Sequence, residues 1–185
     1  APETMVPLVC FRKILQANPS CAARTNNLNQ TPLNLHCQRR QASTEVAQML
    51  IDAHPDAVHI LDGDKGMGPL HYAAENINLE LIRLLVEVDP EVARARTTPG
   101  LLTPLHLLCK KHVGERHLPA IEALLQAEPR AVIMRDASKC LTPLHLVART
   151  ARVPRKVVEC LVNNMPEAAS IPDSNNYLPI HHACE

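Results

Sequence analysis

Aromatic side chains are almost missing: Trp is absent, and one Phe and two Tyr make up 2% of 185 residues. Base-stacking platforms and aromatic-lined clefts for sugars or planar cofactors therefore lack their raw material. Glycine is scarce, at five residues against 16 prolines, which leaves neither a flexible glycine-rich linker nor a phosphate-cradling loop. Net charge is zero, with 19 basic and 19 acidic side chains, so no global field favours nucleic acid or a membrane surface. No apolar run approaches the ~20 residues that a membrane span needs. The opening APETMVPLVC has no basic segment ahead of its apolar residues, which argues against a secretory leader. The cysteines, Cys10, Cys21, Cys37, Cys109, Cys140, Cys160 and Cys184, are odd in number and show no CxxC spacing. They read as buried free thiols rather than a disulfide framework or zinc finger, and the expected location is intracellular, in the cytosol or nucleus.

What the chain does have is internal repetition. Five segments align: TPLNLHC (31–37), GPLHYAA (68–74), TPLHLLC (103–109), TPLHLVA (142–148) and LPIHHAC (178–184). Their prolines, Pro32, Pro69, Pro104, Pro143 and Pro179, follow one another at steps of 37, 35, 39 and 36. A second set, Pro19, Pro55, Pro90, Pro129 and Pro166, keeps the same rhythm. Ahead of each stands an apolar pair such as Leu85-Val86 or Leu124-Leu125, and behind each a small or β-branched pair such as Ala57-Val58 or Ala131-Val132. Seven residues after each comes a turn-favouring or capping residue: Asn26, Asp62, Thr97, Asp136 or Asp173.

Each unit has a physical reading. Thr31, Thr103 and Thr142 are suited to cap a helix, and the proline after each fits the first helical position, where its missing N–H costs nothing. A second helix follows, clearest in NLELIRLLVEV, where Leu79, Ile82, Leu85 and Val86 recur at helical spacing. The next proline ends it, because a residue preceding proline avoids the helical region. An exposed turn leads to the next unit. One such unit cannot bury its own apolar face, but stacked neighbours can, so the expected architecture is an all-α helix-turn-helix solenoid with short hairpin-like loops.

These units resemble ankyrin repeats, and GPLHYAAENINLELIRLLV (68–86) is similar to that family's pattern nearly position for position. The resemblance covers the whole chain as a single domain, 1–185: a partial repeat over 1–30, repeats from 31, 68, 103 and 142, and a truncated repeat over 178–185. The steps exceed the family period of about 33. Ile77 stands where the family has a glycine between its helices. The loop glycine survives as Gly66 and Gly100, with Asn29 and Asn176 as expected substitutes, since Asn tolerates the left-handed conformation. The chain starts in what reads as a second helix and stops within a first one. That predicts a piece of a longer protein, with Leu178, Ile180 and Ala183 exposed.

LTPLHLLCKKH (102–112) poses the chemical question, because His106, Cys109 and His112 could bind metal or form a Cys–His pair. The helical pitch lets His106 meet Cys109 but turns His112 away. His106 also belongs to a column with Asn34, His71, His145 and His181, and Cys109 to one with Cys37, Ala74, Ala148 and Cys184. Recurrence marks both as scaffold, with the second slot selecting for small size. The family resemblance implies that the histidine bonds near the threonine cap and bridges neighbouring units. No catalytic residue, cofactor or metal is assigned.

Residues that differ between units are the better candidates for binding. After the small-residue slot stand Gln38-Arg39-Arg40, Glu75-Asn76, Lys110-Lys111-His112 and Arg149-Thr150, with Lys65 and Lys139 in the loops. The resemblance implies that this edge and the loop tips line a concave face. Arg24, Arg96 and Arg135 fall on the same side, whereas Glu80, Glu87, Glu122, Glu128 and Glu159 are expected on the outer layer. The expected function is protein interaction by a monomer, with a protein or peptide partner, acidic by charge complementarity. Cations at helix C-termini also need no partner, since they complement the helix dipole. Metal-binding or enzymatic use of the His/Cys set, and nucleic-acid binding along the basic edge, are the alternatives.

Overall fold

The computed structural model describes residues 8–110 and 113–184. Among these residues ten α-helices form and no strand does. Five short helices open on the first proline set: α2 (Pro32–Cys37), α4 (Pro69–Glu75), α6 (Pro104–Lys110), α8 (Pro143–Ala148) and α10 (Pro179–Ala183). Five ten-residue helices alternate with them: α1 (Leu8–Ala17), α3 (Thr44–Ala53), α5 (Leu79–Val88), α7 (Leu118–Ala127) and α9 (Arg155–Asn164). The short helices contact one another in chain order, and so do the long ones, which makes a two-layer stack in which each unit meets its neighbours.

Apolar spacing explains the layers. In α5, Leu81, Ile82 and Leu85 are all fully buried, and in α7 the same holds for Ile121, Leu124 and Leu125. Each such side chain contributes roughly 1.5–3 kcal/mol of burial. The middle short helices are the most enclosed: from Pro69 to Ala74, α4 is buried throughout. Cys37, Ala74 and Cys109 are fully buried where the layers meet, a contact that admits only a small side chain.

The second proline set does more than end a helix. One residue in extended backbone, with φ between −142° and −154°, separates each long helix from its proline. The proline then starts a five-residue 3-10 helix: Pro19–Ala23, Pro55–His59, Pro90–Arg94, Pro129–Ile133 and Pro166–Ser170. The sequence pattern led to a loop at this place. The small pairs explain the difference, because Ala57-Val58, Val92-Ala93 and Ala131-Val132 tuck this turn into the core.

A finger-like loop follows each 3-10 helix. Backbone bonds close it, from Asn26 to Gln30, Asp62 to Met67, Thr97 to Leu102, Asp136 to Leu141 and Asp173 to Tyr177, at 2.8–3.1 Å. Every finger has one left-handed residue: Asn29, Gly66, Leu101, Cys140 or Asn176. Asn29 and Asn176 adopt that conformation, but in the third finger the left-handed position is Leu101 rather than the neighbouring Gly100. Gly66 is required for a second reason, since a Cβ there would lie 2.0 Å from Thr98 Oγ1 in the next finger. Between the helices Ile77 is left-handed at φ 58°, keeping a glycine-like turn without glycine. The segment after α6 also folds back: Glu115–His117 forms a 3-10 helix, with Val113 and His117 buried beneath it.

Candidate functional site

The histidine column is a set of joints between units. In His71, His106 and His145, Nδ1 accepts the backbone N–H of Gly68, Thr103 and Thr142 at 3.1–3.2 Å. The Thr103 and Thr142 hydroxyls meet the same nitrogen at 2.7 and 2.8 Å. Nε2 faces the carbonyl of Leu102, Leu141 or Tyr177, the residue that leads into the following unit, at 3.1–3.2 Å. A carbonyl only accepts, so the proton sits on Nε2 and both ring nitrogens are occupied. Burial outweighs the opposing pull of those carbonyls and pushes His71 and His106 down to about 4. In the first unit an amide performs the same task. Asn34 accepts from Thr31 and donates to Ile60 and Met67 at 2.9 and 3.2 Å.

The cysteines give no nucleophile at this place. Burial pushes the Cys37 thiol up to about 12, and Cys109, fully buried on α6, also moves well up. Lys111 and His112 lie outside the described residues. Among the described residues, no three His, Cys, Asp or Glu side chains are grouped to hold a metal ion.

The fingers are organised by the turn-favouring residues that stand seven positions after each proline of the second set. Asp62 Oδ1 accepts the N–H of Lys65 and Met67, and Asp136 Oδ1 those of Lys139 and Leu141. Asn26, Thr97 and Asp173 repeat the arrangement. Burial pushes the Asp136 carboxyl up, but the Ser138 hydroxyl and the two amides outweigh it and hold the group below the usual carboxylate range. Successive fingers are bonded directly, Gly63 N–H to Leu28, Ala137 to Gly100 and Ser174 to Lys139, at 2.7–2.9 Å. The Arg96 guanidinium reaches the Arg135 carbonyl of the next finger, so its charge serves the stack.

Exposed residues fall along the ends of the short helices and the finger tips. Gln38, Arg39 and Arg40 are exposed after α2, Lys110 at the end of α6, Arg149 after α8, and Lys65 and Lys139 in their fingers. Glu75, Asn76 and Thr150 are half-buried. The Asn76 amide donates to Cys37 and Gln38 in the preceding unit, and the Thr150 hydroxyl donates to Leu146. These two side chains thus have structural partners.

The outer layer departs from the expected acidic surface. Glu128 is buried, paired with Arg94 at 2.6 Å and capping the Arg130 N–H. Glu80, Glu87 and Glu122 are exposed there, but so are Arg12, Lys13, Arg83, Arg155 and Lys156. Both signs occupy the long helices.

One cleft joins the candidates. It has a volume of about 420 Å³ and is lined by Lys110, Lys139, Arg149 and Thr150 together with Leu102, Asp136, Ser138, Leu141 and Leu146. Sequence reasoning named the first four but missed the remainder. The available signal was Leu146, a leucine that follows the column histidine and stays half-exposed. A wider cleft of about 530 Å³ lies between α5 and α7, where Arg83, Glu87 and Glu122 mix signs. Near the last short helix, Ile180 and Ala183 are exposed and line an apolar groove of about 300 Å³, while Leu178 is half-buried. No helix among the described residues is long and apolar enough to cross a membrane.

A family model for ankyrin repeats in three copies matches residues 8–96 and 35–135. No curated protein matches the chain.

Proposed function

Because the chain belongs to the ankyrin repeat family, whose repeats are generally protein-interaction modules, we propose that it binds a protein or peptide along the short-helix edge and finger tips. This edge is the concave one, and the protein acts there as an intracellular monomer without a catalytic centre of its own. The sequence 1–185 is taken as one domain, with a partial unit over 1–30, units from 31, 68, 103 and 142, and the start of a further unit over 178–185.

One observation carries the reading. The column residues Asn34, His71, His106 and His145, the threonine caps and the finger residues Asp62, Asp136 and Asp173 are buried and bonded within the stack, whereas Gln38 to Arg40, Lys110 and Arg149 differ between units and are exposed at equivalent places. Lys111 and His112 continue the Lys110 set. A rigid surface assembled from several units binds with little ordering cost. Arg39, Arg40, Lys65, Lys110, Lys139 and Arg149 give it a cationic bias, which favours an acidic partner in encounter and orientation.

Photo-crosslinking side chains test the face. Placed at Gln38, Lys65 or Arg149, they should form partner adducts, and placed at Arg83 or Glu122 on the long helices they should form none. Adducts arising mainly from the long helices would overturn the assignment.

A further inference from the structure

We propose that the cleft between α6, α8 and the fourth finger anchors an acidic side chain of a partner polypeptide, with a neighbouring aliphatic side chain seated beside it. The proposal rests on the short-helix edge being the binding face and adds a specific position and a residue class to it.

Three cations from three separate elements line this one recess: Lys110 at the end of α6, Lys139 in the finger and Arg149 after α8. Among the described residues none of the three side chains is in an ion pair. Helix dipoles account for Lys110 and Arg149, which stand at helix C-termini. They do not account for Lys139, which is on no helix. Like charges around a shared cleft repel one another until an anion enters.

The anion already present does not fill that role. Asp136 is buried, with Oδ1 held by two backbone amides and Oδ2 by the Ser138 hydroxyl. Its carboxylate serves the finger, forms no ion pair with the cationic side chains and offsets at most one of their three charges, so the recess keeps a net positive charge. Its presence also selects the guest: a singly charged carboxylate meets less repulsion from Asp136 than a doubly charged phosphate does. Arg149 can grip a carboxylate with two parallel N–H bonds. Beside the cations, Leu141 is buried and Leu146 half-exposed, which supplies an apolar wall for an aliphatic neighbour. No aromatic ring lines the cleft, so nothing there would stack a nucleic-acid base.

Selection of displayed random short peptides on the whole chain, followed by anisotropy titration of the winners, tests this. Enriched peptides should share Asp or Glu beside Leu, Ile or Val. Changing the acid to its amide should weaken binding by about tenfold, the scale of one lost charge-assisted contact. Lys139→Glu with Arg149→Glu should do the same while the melting temperature holds, and Arg12→Glu with Lys13→Glu, on the long-helix layer, should have little effect.

Several outcomes would overturn the proposal. Winners that lack an acid and depend on Arg39 and Arg40 sink the cleft but leave the binding face standing. Winners sensitive only to Arg83 and Glu122 sink both. A selection without enrichment also removes the cleft as a peptide anchor. Tighter binding of the phosphoserine counterpart, or displacement of the winners by a mixed-sequence oligonucleotide, would assign the recess to phosphate instead.

Discussion

His106 ties its helix cap to the threshold of the next unit, through Thr103 on one side and the Leu141 carbonyl, just ahead of Thr142, on the other. His106→Ala should leave the Thr103 amide without a partner and strip one bond each from the Thr103 hydroxyl and the Leu141 carbonyl in a dry site, a loss of about 3 kcal/mol in urea unfolding at neutral pH. His106→Asn should lose clearly less, because Asn34 performs the same bridging with a shorter side chain. Equal losses for the two variants would mean that shape, rather than the bridge, is what this slot requires. The column itself was legible, since a histidine recurring once per unit points to scaffold. Asn76 was less so: it reads as a variable edge residue, yet its amide staples α4 to the end of α2, a bond between residues 38 and 39 positions apart. Spacing patterns do not encode a partner that folding alone brings near.

Among the elements, the fingers carry a local strain that can be relieved. Leu101 is 36% exposed and left-handed at φ 51°, a region costly to a branched side chain. Leu101→Asn should add about 1 kcal/mol of stability, raising the melting temperature by ~2–4 °C for a chain of this size. A scanning-calorimetry midpoint checks it, and a fall would show that the leucine side chain contributes more by packing than its backbone costs. Helix starts, helix ends and the apolar pairs were all readable, because caps, prolines and periodic leucines act locally. The 3-10 helices were not. Proline marks where one helix must stop, but whether the chain then turns inward depends on the space that Ala57-Val58 and its equivalents find in the core. Gly100 shows the same limit from the other side: glycine permits a left-handed turn without requiring it.

At the level of the whole stack, the buried histidines make stability depend on pH. The folded state keeps His71 and His106 neutral down to about 4, while the unfolded chain takes protons near 6.5. Unfolding therefore takes up protons in that interval. The contribution is complete above about pH 6.5, falls on acidification, and is gone below about 4, by up to about 3 kcal/mol per ring. His145 shifts in the same direction. Asp62, Asp136 and Asp173 act later, since hydrogen bonds hold them below the usual carboxylate range and their share is lost only in stronger acid. Urea midpoints at pH 7, 5.5 and 4.5 should fall steadily, and His71→Asn with His106→Asn should flatten the curve. Of the proposed binding face, the variable cations were legible because they break the repeat, whereas the cleft was not, because it needs α6, α8 and a finger in one place. Asn34 has a consequence of its own for this slope. An amide does not titrate, so mild acid weakens the joints made by His71, His106 and His145 and leaves the first one untouched. The joints at the middle and far end would then loosen before the one at Asn34, where His36, also lowered by burial, is the one ring in its helix that answers the acid.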